Sequence, residues 1–314
     1  MFEALSSMDS VTLNFRDEGL FILNISVAVI MFGVALEIKA EHFKKLLLNP
    51  LPVIIGVISQ FLILPFVTFL LIMAFWDNLS VGVAMGMILI VSCPGGNISN
   101  FMSNLAKGNT ALSVSLTAIA TISAIIITPV NFYVWGSMYE KFGPWIDNPL
   151  LQELEVDPVQ VFKIVFLILG IPIILGMLTN HFFQKFTDII KKPIKIFSII
   201  FFLSMVIVLF AFNFDYFLKY ISWIIIIVLA HNTIAILSGY GFASLFRLSF
   251  QNRKTIGIET GIQNSGLGLI LIFNPAIFPQ HLPLGGMMIV VAWWGIWHII
   301  SGLSIAGFWN MRNK

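Results

Sequence analysis

Long apolar stretches, separated by short charged or turn-rich segments, dominate the chain. Each stretch has about 20 residues or more, which is the length that an α-helix needs to cross roughly 30 Å of hydrocarbon. The pattern predicts nine membrane spans, near 19–38, 50–75, 79–105, 109–136, 158–180, 195–214, 220–246, 255–278 and 284–308. We therefore expect an all-α polytopic membrane protein, with an N-terminal segment at 1–18 and a short tail at 309–314.

Composition supports a membrane protein. Hydrophobic residues make up 58% of the 314 residues and charged residues only 10%, whereas a soluble domain carries about 25% charged residues. The net charge of +2 and the lack of a basic cluster with interleaved aromatics argue against a nucleic-acid partner. A single cysteine, Cys93, excludes an internal disulfide.

The distribution of lysine and arginine predicts the orientation, because these residues favour the cytoplasmic side of a membrane. With nine spans and the N-terminus outside, the outer side holds four of the 17 basic residues. The inner side holds the others: Lys39, Lys44, Lys45, Lys107, Lys185, Lys191, Lys192, Lys195, Arg247, Arg253, Lys254, Arg312 and Lys314. We therefore expect the N-terminus outside, the C-terminus in the cytoplasm and, given the short loops, a bacterial inner membrane.

Two of the spans contain segments that disfavour a continuous helix. The third span holds Pro94-Gly95-Gly96, and the eighth holds Gly261 and Gly266 among polar residues. Proline removes a backbone donor and glycine lowers helix propensity. Breaks at corresponding places in two antiparallel halves indicate a transporter binding site. The pattern predicts an inverted repeat of spans 2–4 and 7–9, in which two broken helices cross.

Glu259 lies within the second break, in the middle of an apolar span. An acidic residue at membrane depth is costly and marks a functional site by default. Ser113 and Thr117 share one face of span 4, and Ser99 and Asn100 lie a short loop away. Because these are hard oxygen donors around one carboxylate, the pattern favours a monovalent cation, sodium before a divalent ion.

Two alternative functions stay open, a proton-coupled transporter and a channel, and a third, an enzyme, is not expected. Glu259 alone could carry a proton, although a proton relay does not need a shell of hydroxyls and amides. A channel needs a continuous polar lining, which the apolar spans 1, 5 and 6 do not offer. An enzyme needs a nucleophile with a base, and Ser265 has no histidine fixed beside it in the sequence, so we expect no enzymatic activity.

At these residues the sequence resembles the bile acid:sodium symporter family. The matching stretches are C-P-G-G-N-I-S-N at 93–100, G-N-x-x-L-S-x-x-x-T at 108–117 and E-T-G-x-Q-N at 259–264. Gln60, in V-I-S-Q-F-x-x-x-P, stands where that family carries a glutamine. The resemblance covers nearly the whole chain. It implies a core domain near 50–136 and 220–308, a panel domain near 19–38 and 158–214, two sodium ions and alternating access.

The resemblance also implies which residues bind each ligand. The first sodium site is expected at Ser99, Asn100, Ser113, Thr117 and Glu259. The second is expected at Glu259 with Gln60, Gln263 and the carbonyls of Thr260 and Ile262. The polar candidates for the substrate are Asn97, Asn264, Ser265 and His298.

The chain departs from the bacterial members of the family at two places. It resembles the nine-helix branch rather than the ten-helix one, and it has Trp297-His298-Ile299 where some members have W-H-N. Together with the residues around Glu259, the resemblance implies a sodium-coupled symporter of an organic anion, either bile-acid-like or a small carboxylate. We expect a monomer or a weak dimer in the lipid bilayer.

Overall fold

The computed structural model describes residues 2–9, 17–38, 50–143, 158–212, 214–275, 277–279 and 282–311. Within these ranges the regular elements are helices, joined by turns and one isolated antiparallel bridge. The loops at 39–49 and 144–157 and residues 312–314 of the predicted tail lie outside the described residues. So do residues 10–16 of the predicted N-terminal segment.

Twelve α-helices are described besides the short 3-10 helix Trp76–Asn78, and we number them in chain order. They are α1 (Phe2–Asp9), α2 (Asp17–Ala35), α3 (Pro50–Ala74), α4 (Val81–Ser92), α5 (Ile98–Leu105), α6 (Thr110–Phe142), α7 (Pro158–Val165, continuing as Phe166–Gly170 and Ile171–Phe182), α8 (Gln184–Phe212), α9 (Phe214–Leu245), α10 (Phe250–Gly261), α11 (Ser265–Phe273) and α12 (Gly285–Met311).

The prediction of an all-helical membrane protein is confirmed. Among the described residues five helices, α3, α6, α7, α9 and α12, are long and apolar enough to cross a membrane. The third and eighth predicted spans are each divided into two shorter helices, α4 with α5 and α10 with α11. The count of nine spans and the inverted repeat stay predictions.

Several elements differ from the predicted boundaries. Helix α6 ends at Phe142 rather than near 136, α8 begins at Gln184 rather than near 195, and α9 begins at Phe214 rather than near 220. Helix α1 lies in the segment that was predicted only as an extracellular stretch. Helix α10 begins at Phe250, so Arg253 and Lys254 belong to a helix rather than to the inner loop where we expected them. The reason is the Ser249 side chain, which accepts a hydrogen bond from the Asn252 N–H and starts the helix earlier than hydropathy suggests.

Prolines shape the long helices α3 and α7. Pro65 has no N–H to donate to the carbonyl of Phe61, four residues earlier. Asn131 from α6 donates to that carbonyl instead, over 2.9 Å. A π-helical turn, Ser59–Ile63, precedes the proline, and a similar turn, Phe166–Gly170, precedes Pro172 in α7. The turn in α3 contains Gln60, consistent with the tendency of such turns to occur at functional sites.

The helices form two packed groups around an apolar core. Helix α2 packs against α7 and α8, and the Asn180 side chain of α7 donates to the carbonyl of Ile38 at the end of α2 (2.8 Å). The broken helices pack among α3, α6, α9 and α12. This grouping follows the predicted panel and core, whose division into domains stays a prediction.

Helix α1 packs against the starts of α4 and α12. Leu5 and Met8 are fully buried, and Asp9 accepts hydrogen bonds from the Gly82 N–H and the Ser80 hydroxyl, both 2.9 Å long. A carboxylate at the start of α4 stabilises the unpaired N–H groups of that helix.

We predict that replacing Gly86 by Val destabilises the fold. A Cβ at Gly86 lies 2.8 Å from Met287 Cα and 2.9 Å from its carbonyl oxygen, so the backbones of α4 and α12 must separate. Overpacking of this kind costs about 1–3 kcal/mol. Thermal unfolding in detergent measures the loss. Gly241→Val is the control, because nothing lies within 4 Å of a Cβ there, and equal losses in the two variants would contradict the prediction.

We also predict that the effect of Asp9→Asn on stability depends on pH. Burial raises the pKa of Asp9 from 3.8 to about 6, although the hydrogen bonds from Gly82 and Ser80 act in the opposite direction. The folded protein therefore binds a proton between about pH 4 and pH 6 that the unfolded chain releases, so this carboxyl contributes less stability as pH rises through that window.

The asparagine does not titrate, so wild type should lose stability relative to Asp9→Asn between about pH 4 and pH 6. We expect a change of less than about 3 kcal/mol. Thermal unfolding of both proteins at several pH values measures it, and a difference that does not change with pH would refute this account of Asp9.

Candidate sodium site

The first break separates α4 from α5 and follows directly from the sequence. Proline restricts the preceding residue to extended backbone, and Cys93 has φ −73° and ψ 157°. Helix α4 therefore ends at Ser92, two residues before Pro94. The chain resumes as α5 after Asn97, which leaves Gly95 and Gly96 in the gap.

The second break separates α10 from α11. Helix α10 ends at Gly261, and Ile262 is extended. Asn264 starts the next helix, because its side-chain oxygen accepts a hydrogen bond from the Leu267 N–H (3.0 Å). Only Ile262, Gln263 and Asn264 separate the two helices.

The two breaks lie side by side and share their backbone hydrogen bonds. Gly95 and Gln263 form an isolated antiparallel bridge. The Gly96 N–H donates to the Ile262 carbonyl, and the Asn264 N–H donates to the Pro94 carbonyl, each over 2.8 Å. These bonds satisfy groups that lipid cannot satisfy. Each break thus stabilises the other.

Glu259, 4% exposed, lies beside this junction at the centre of a group of oxygen atoms. One carboxylate oxygen accepts a short hydrogen bond from the Ser113 hydroxyl, and the other accepts one from Thr117 (3.0 Å). The Asn100 side-chain oxygen lies 2.9 Å from Ser113 Oγ and 3.3 Å from Thr117 Oγ1. Ser99 Oγ lies 3.4 Å from Thr117 Oγ1. All five residues expected at the first site are therefore brought together.

The chemistry of this group suits a small hard cation. It offers carboxylate, hydroxyl and amide oxygens. Among the described residues, neither of the two ion pairs involves Glu259, and no three His, Cys, Asp or Glu side chains cluster as a transition metal would require. A buried carboxylate needs a positive partner or a proton, and the surrounding oxygens can supply the remaining ligands.

The residues expected at the second site form a neighbouring group. Gln60 Nε2 donates to Gln263 Oε1 (2.7 Å), and Gln263 Nε2 donates to the Thr260 carbonyl (2.7 Å). Gln60 Nε2 also lies 3.4 Å from the Cys93 carbonyl. The Ile262 carbonyl accepts from Gly96. The described hydrogen bonds of the Glu259 carboxylate lie within the first group, whereas here the two glutamine amides and the Thr260 carbonyl bond among themselves.

The four substrate candidates differ in exposure. Asn97 is exposed at the start of α5, and Asn264 is half-buried at the start of α11. Ser265 and His298 are buried, and His298 Nδ1 has no hydrogen-bond partner among the described residues. The two asparagines thus lie at the N-termini of the second halves of both broken helices, where partial positive charge favours an anion.

Sequence reasoning missed the contacts that hold the broken helices in place. Asn232 of α9 donates to the Gly261 carbonyl (2.7 Å), and Ser59 bonds to Thr260 (2.8 Å). The hydroxyls of Ser115 and Thr121 instead donate to the carbonyls of Ala111 and Thr117 within α6, as hydroxyls on a membrane helix often do. An asparagine in an apolar span was the available signal for Asn232, but the sequence does not show which carbonyl it contacts.

A second connection joins α5 and α10 at the cytoplasmic side that the charge pattern predicts. Lys254, 1% exposed, donates to the carbonyls of Ala106 and Lys107 (2.5 and 3.0 Å) just after the end of α5. Asn109 donates through its backbone N–H to Thr255 Oγ1 and through its side chain to Asn252. A cation at the C-terminal end of a helix interacts favourably with its carbonyl groups.

Comparison with known proteins identifies the class. A family model described as "Sodium Bile acid symporter family" matches residues 24–220. An uncharacterized sodium-dependent transporter of Bacillus subtilis, YocS, is 34% identical over 293 residues, covering 93% of this chain and 84% of that protein. These matches and the apolar helices define an integral membrane protein of a sodium-dependent transporter class. The chain belongs to the sodium bile acid symporter family, which confirms the resemblance found in the sequence.

Two less similar relatives have names that state a class of substrate. The probable chloroplastic sodium/metabolite cotransporter BASS2 of Oryza sativa subsp. japonica is 28% identical over 286 residues, which cover 87% of this chain and 64% of that protein. Sodium/bile acid cotransporter 4 of Homo sapiens is 28% identical over 262 residues, covering 82% of this chain and 56% of that protein. The chain thus spans less than two thirds of the length of these plant and human relatives.

We predict that Gly96→Ala is more harmful than Gly95→Ala. A Cβ at Gly96 lies 3.1 Å from the Gln263 carbonyl oxygen, which is backbone and cannot rotate away, whereas at Gly95 the nearest atom, Glu259 Oε2, is 3.5 Å away. We expect Gly96→Ala to cost about 1 kcal/mol more, measured by thermal unfolding in detergent. The account of the junction fails if Gly95→Ala is the less stable variant.

Proposed function

We propose that the protein is a sodium-coupled secondary active symporter that takes up an organic anion by alternating access. The observation that carries the proposal is the position of Glu259. Its carboxylate lies beside the junction of two helix breaks and is surrounded by neutral oxygens of Ser113, Thr117 and Asn100. Family membership supports sodium as the driving ion.

The first sodium ion binds between Glu259 and the oxygens of Ser99, Asn100, Ser113 and Thr117. Divalent ions usually collect more carboxylates than this group provides, and soft metals prefer thiolate or imidazole. The ion neutralises the carboxylate, which removes the cost of a buried charge.

The second sodium ion binds near Gln60 and Gln263, with the Thr260 and Ile262 carbonyls. The side chains of Gln60 and Gln263 bond to each other, so their oxygens must turn toward the ion when it enters. This rearrangement lies directly beside the Gly95–Gln263 bridge. Binding of the second ion therefore acts on the junction itself.

The substrate is an organic anion, either bile-acid-like or a small carboxylate. It binds near Asn97, Asn264, Ser265 and His298, where the N-termini of α5 and α11 favour negative charge. The names of the relatives, which include bile acid and metabolite cotransporters, are consistent with this class.

Coupling follows from the shared junction. Ions that fix the geometry of the breaks also place the groups that contact the anion, and the anion must tighten ion binding in return. Two sodium ions and one monovalent anion carry one net positive charge, so the membrane potential adds about 2.3 kcal/mol per 100 mV to uptake. In a bacterial inner membrane with the N-terminus outside, the protein carries its substrate from the outer side into the cytoplasm. During transport the core domain, near 50–136 and 220–308, moves relative to the panel domain, near 19–38 and 158–214.

Sodium-dependent thermal stabilisation of the purified protein tests the proposal. We expect sodium chloride, but not choline chloride, to raise the unfolding temperature of wild type, and Glu259→Gln to abolish the effect. Thr117→Val should raise the sodium concentration for half-maximal stabilisation about ten-fold, because it removes a hydroxyl ligand of a charged ion. Thr121→Val, one turn further along α6, is the matched control, because Thr121 bonds to its own helix.

Uptake into proteoliposomes separates this function from its alternatives. A panel of organic acids, supplied with an inward sodium gradient, should include a substrate whose uptake Glu259→Gln eliminates. Undiminished sodium-driven uptake by Glu259→Gln would falsify the proposed ion site. Uptake driven by a pH gradient in sodium-free buffer would instead assign Glu259 to proton coupling.

A further inference from the structure

The carbonyl of Gly261 lies at the last position of α10, where the break removes its partner within the helix. Asn232 of α9, which is fully buried, donates its side-chain N–H to this carbonyl over 2.7 Å. The residues on either side of Gly261 are Thr260 and Ile262, and Glu259 is two positions earlier. The contact therefore fixes the backbone at the centre of the expected ion ligands.

Asn232 is itself held from a third helix. The Ser301 hydroxyl of α12 donates to Asn232 Oδ1. The same hydroxyl lies 3.3 Å from the carbonyl of His298, one turn earlier in α12. Hydrogen bonds thus connect the end of α10, through one amide, to the turn of α12 that carries a substrate candidate.

Packing places the same turn of α12 against the break. A Cβ at Gly302 would contact Met102 of α5 and lie 2.9 Å from Ile262 Cδ1. Between Ser301 and Gly302, α12 therefore contacts both α9 and the extended residue that follows α10. A small displacement of this turn must change the position of Asn232, of Ile262, or of both.

We propose that Asn232 is a positioning residue that sets the geometry of the ion ligands at the end of α10 and links it to α12 through Ser301. The inference rests on the proposed function, since it assigns Asn232 a role in sodium binding. The amide touches neither an ion nor substrate; it acts through the Gly261 carbonyl. Because that carbonyl is next to Thr260 and Ile262, loss of the bond lets these carbonyls and Glu259 depart from the geometry that the ion needs.

The alternative is that Asn232 only satisfies a buried carbonyl. A buried acceptor without a partner costs about 1–3 kcal/mol of stability, whether or not an ion binds nearby. That role predicts a lower unfolding temperature with an unchanged sodium requirement. A positioning role predicts a changed sodium requirement as well, so the two roles differ in a measurable quantity.

The experiment is a sodium titration of unfolding temperature, with purified full-length protein in detergent and sodium chloride replaced by choline chloride at constant ionic strength. Asn232→Leu removes the amide with little change in volume, and Ser301→Ala removes only the group that holds it. Asn180→Leu is the matched control, because Asn180 is also a buried amide that donates to a backbone carbonyl, that of Ile38 just after α2, away from the breaks.

We expect Asn232→Leu to raise the sodium concentration for half-maximal stabilisation about five-fold or more. Ser301→Ala should shift it in the same direction by a smaller factor, and Ser301→Thr, which keeps the hydroxyl, should restore it. Asn180→Leu should lower the unfolding temperature in both salts and leave the sodium requirement unchanged.

Two results overturn the inference. One is a sodium concentration for half-maximal stabilisation in Asn232→Leu that equals the wild-type value. If Asn232→Leu does not fold, an unchanged value in Ser301→Ala overturns the inference instead. The other is an equal shift in Asn180→Leu. Wild type and Glu259→Gln are titrated in parallel. If the unfolding temperature of wild type does not respond to sodium, the proposed function is wrong. If wild type responds and Glu259→Gln does not, an unchanged sodium requirement in Asn232→Leu contradicts this inference alone.

Discussion

Irregular backbone at the depth of a membrane requires a hydrogen-bond partner within the protein, and each helix break supplies that partner to the other. Gly96 donates to Ile262 and Asn264 donates to Pro94, so neither break is complete without its neighbour. Glu259 lies one turn of helix from this pairing, and its hydroxyl and amide neighbours come from α5 and α6. The junction therefore lies beside the carboxylate and the oxygen atoms grouped around it.

Proline and glycine make the junction possible through different physical effects. Pro94 ends a helix by removing a donor and by restricting Cys93 to extended backbone. Gly96 permits an approach to the Gln263 carbonyl that a side chain would crowd. Asn264 then restarts a helix by accepting from Leu267.

The sequence was sufficient for the helical class, for the two breaks and for the residues that surround Glu259. Those predictions rest on local signals: span length, proline and glycine positions, and hydroxyls four residues apart. It was not sufficient for long-range partners. Nothing local indicates that Asn232 contacts Gly261, that Gln60 and Gln263 bond to each other, or that Lys254 is buried against Ala106. Helix α1 was missed because hydropathy detects spans and not a short helix that covers their ends.

The connection between Lys254 and the residues after α5 has a mechanical consequence. Helices α5 and α10 are connected near Glu259 through Thr117 of α6 at one end, and through the residues Ala106, Lys107 and Asn109 that follow α5 at the other. Shear between the two helices would have to break hydrogen bonds at both ends, so the two helices resist sliding past each other. Movement of this pair against α3 and α9 would in turn have to break the bonds of Thr260 with Ser59 and of Gly261 with Asn232.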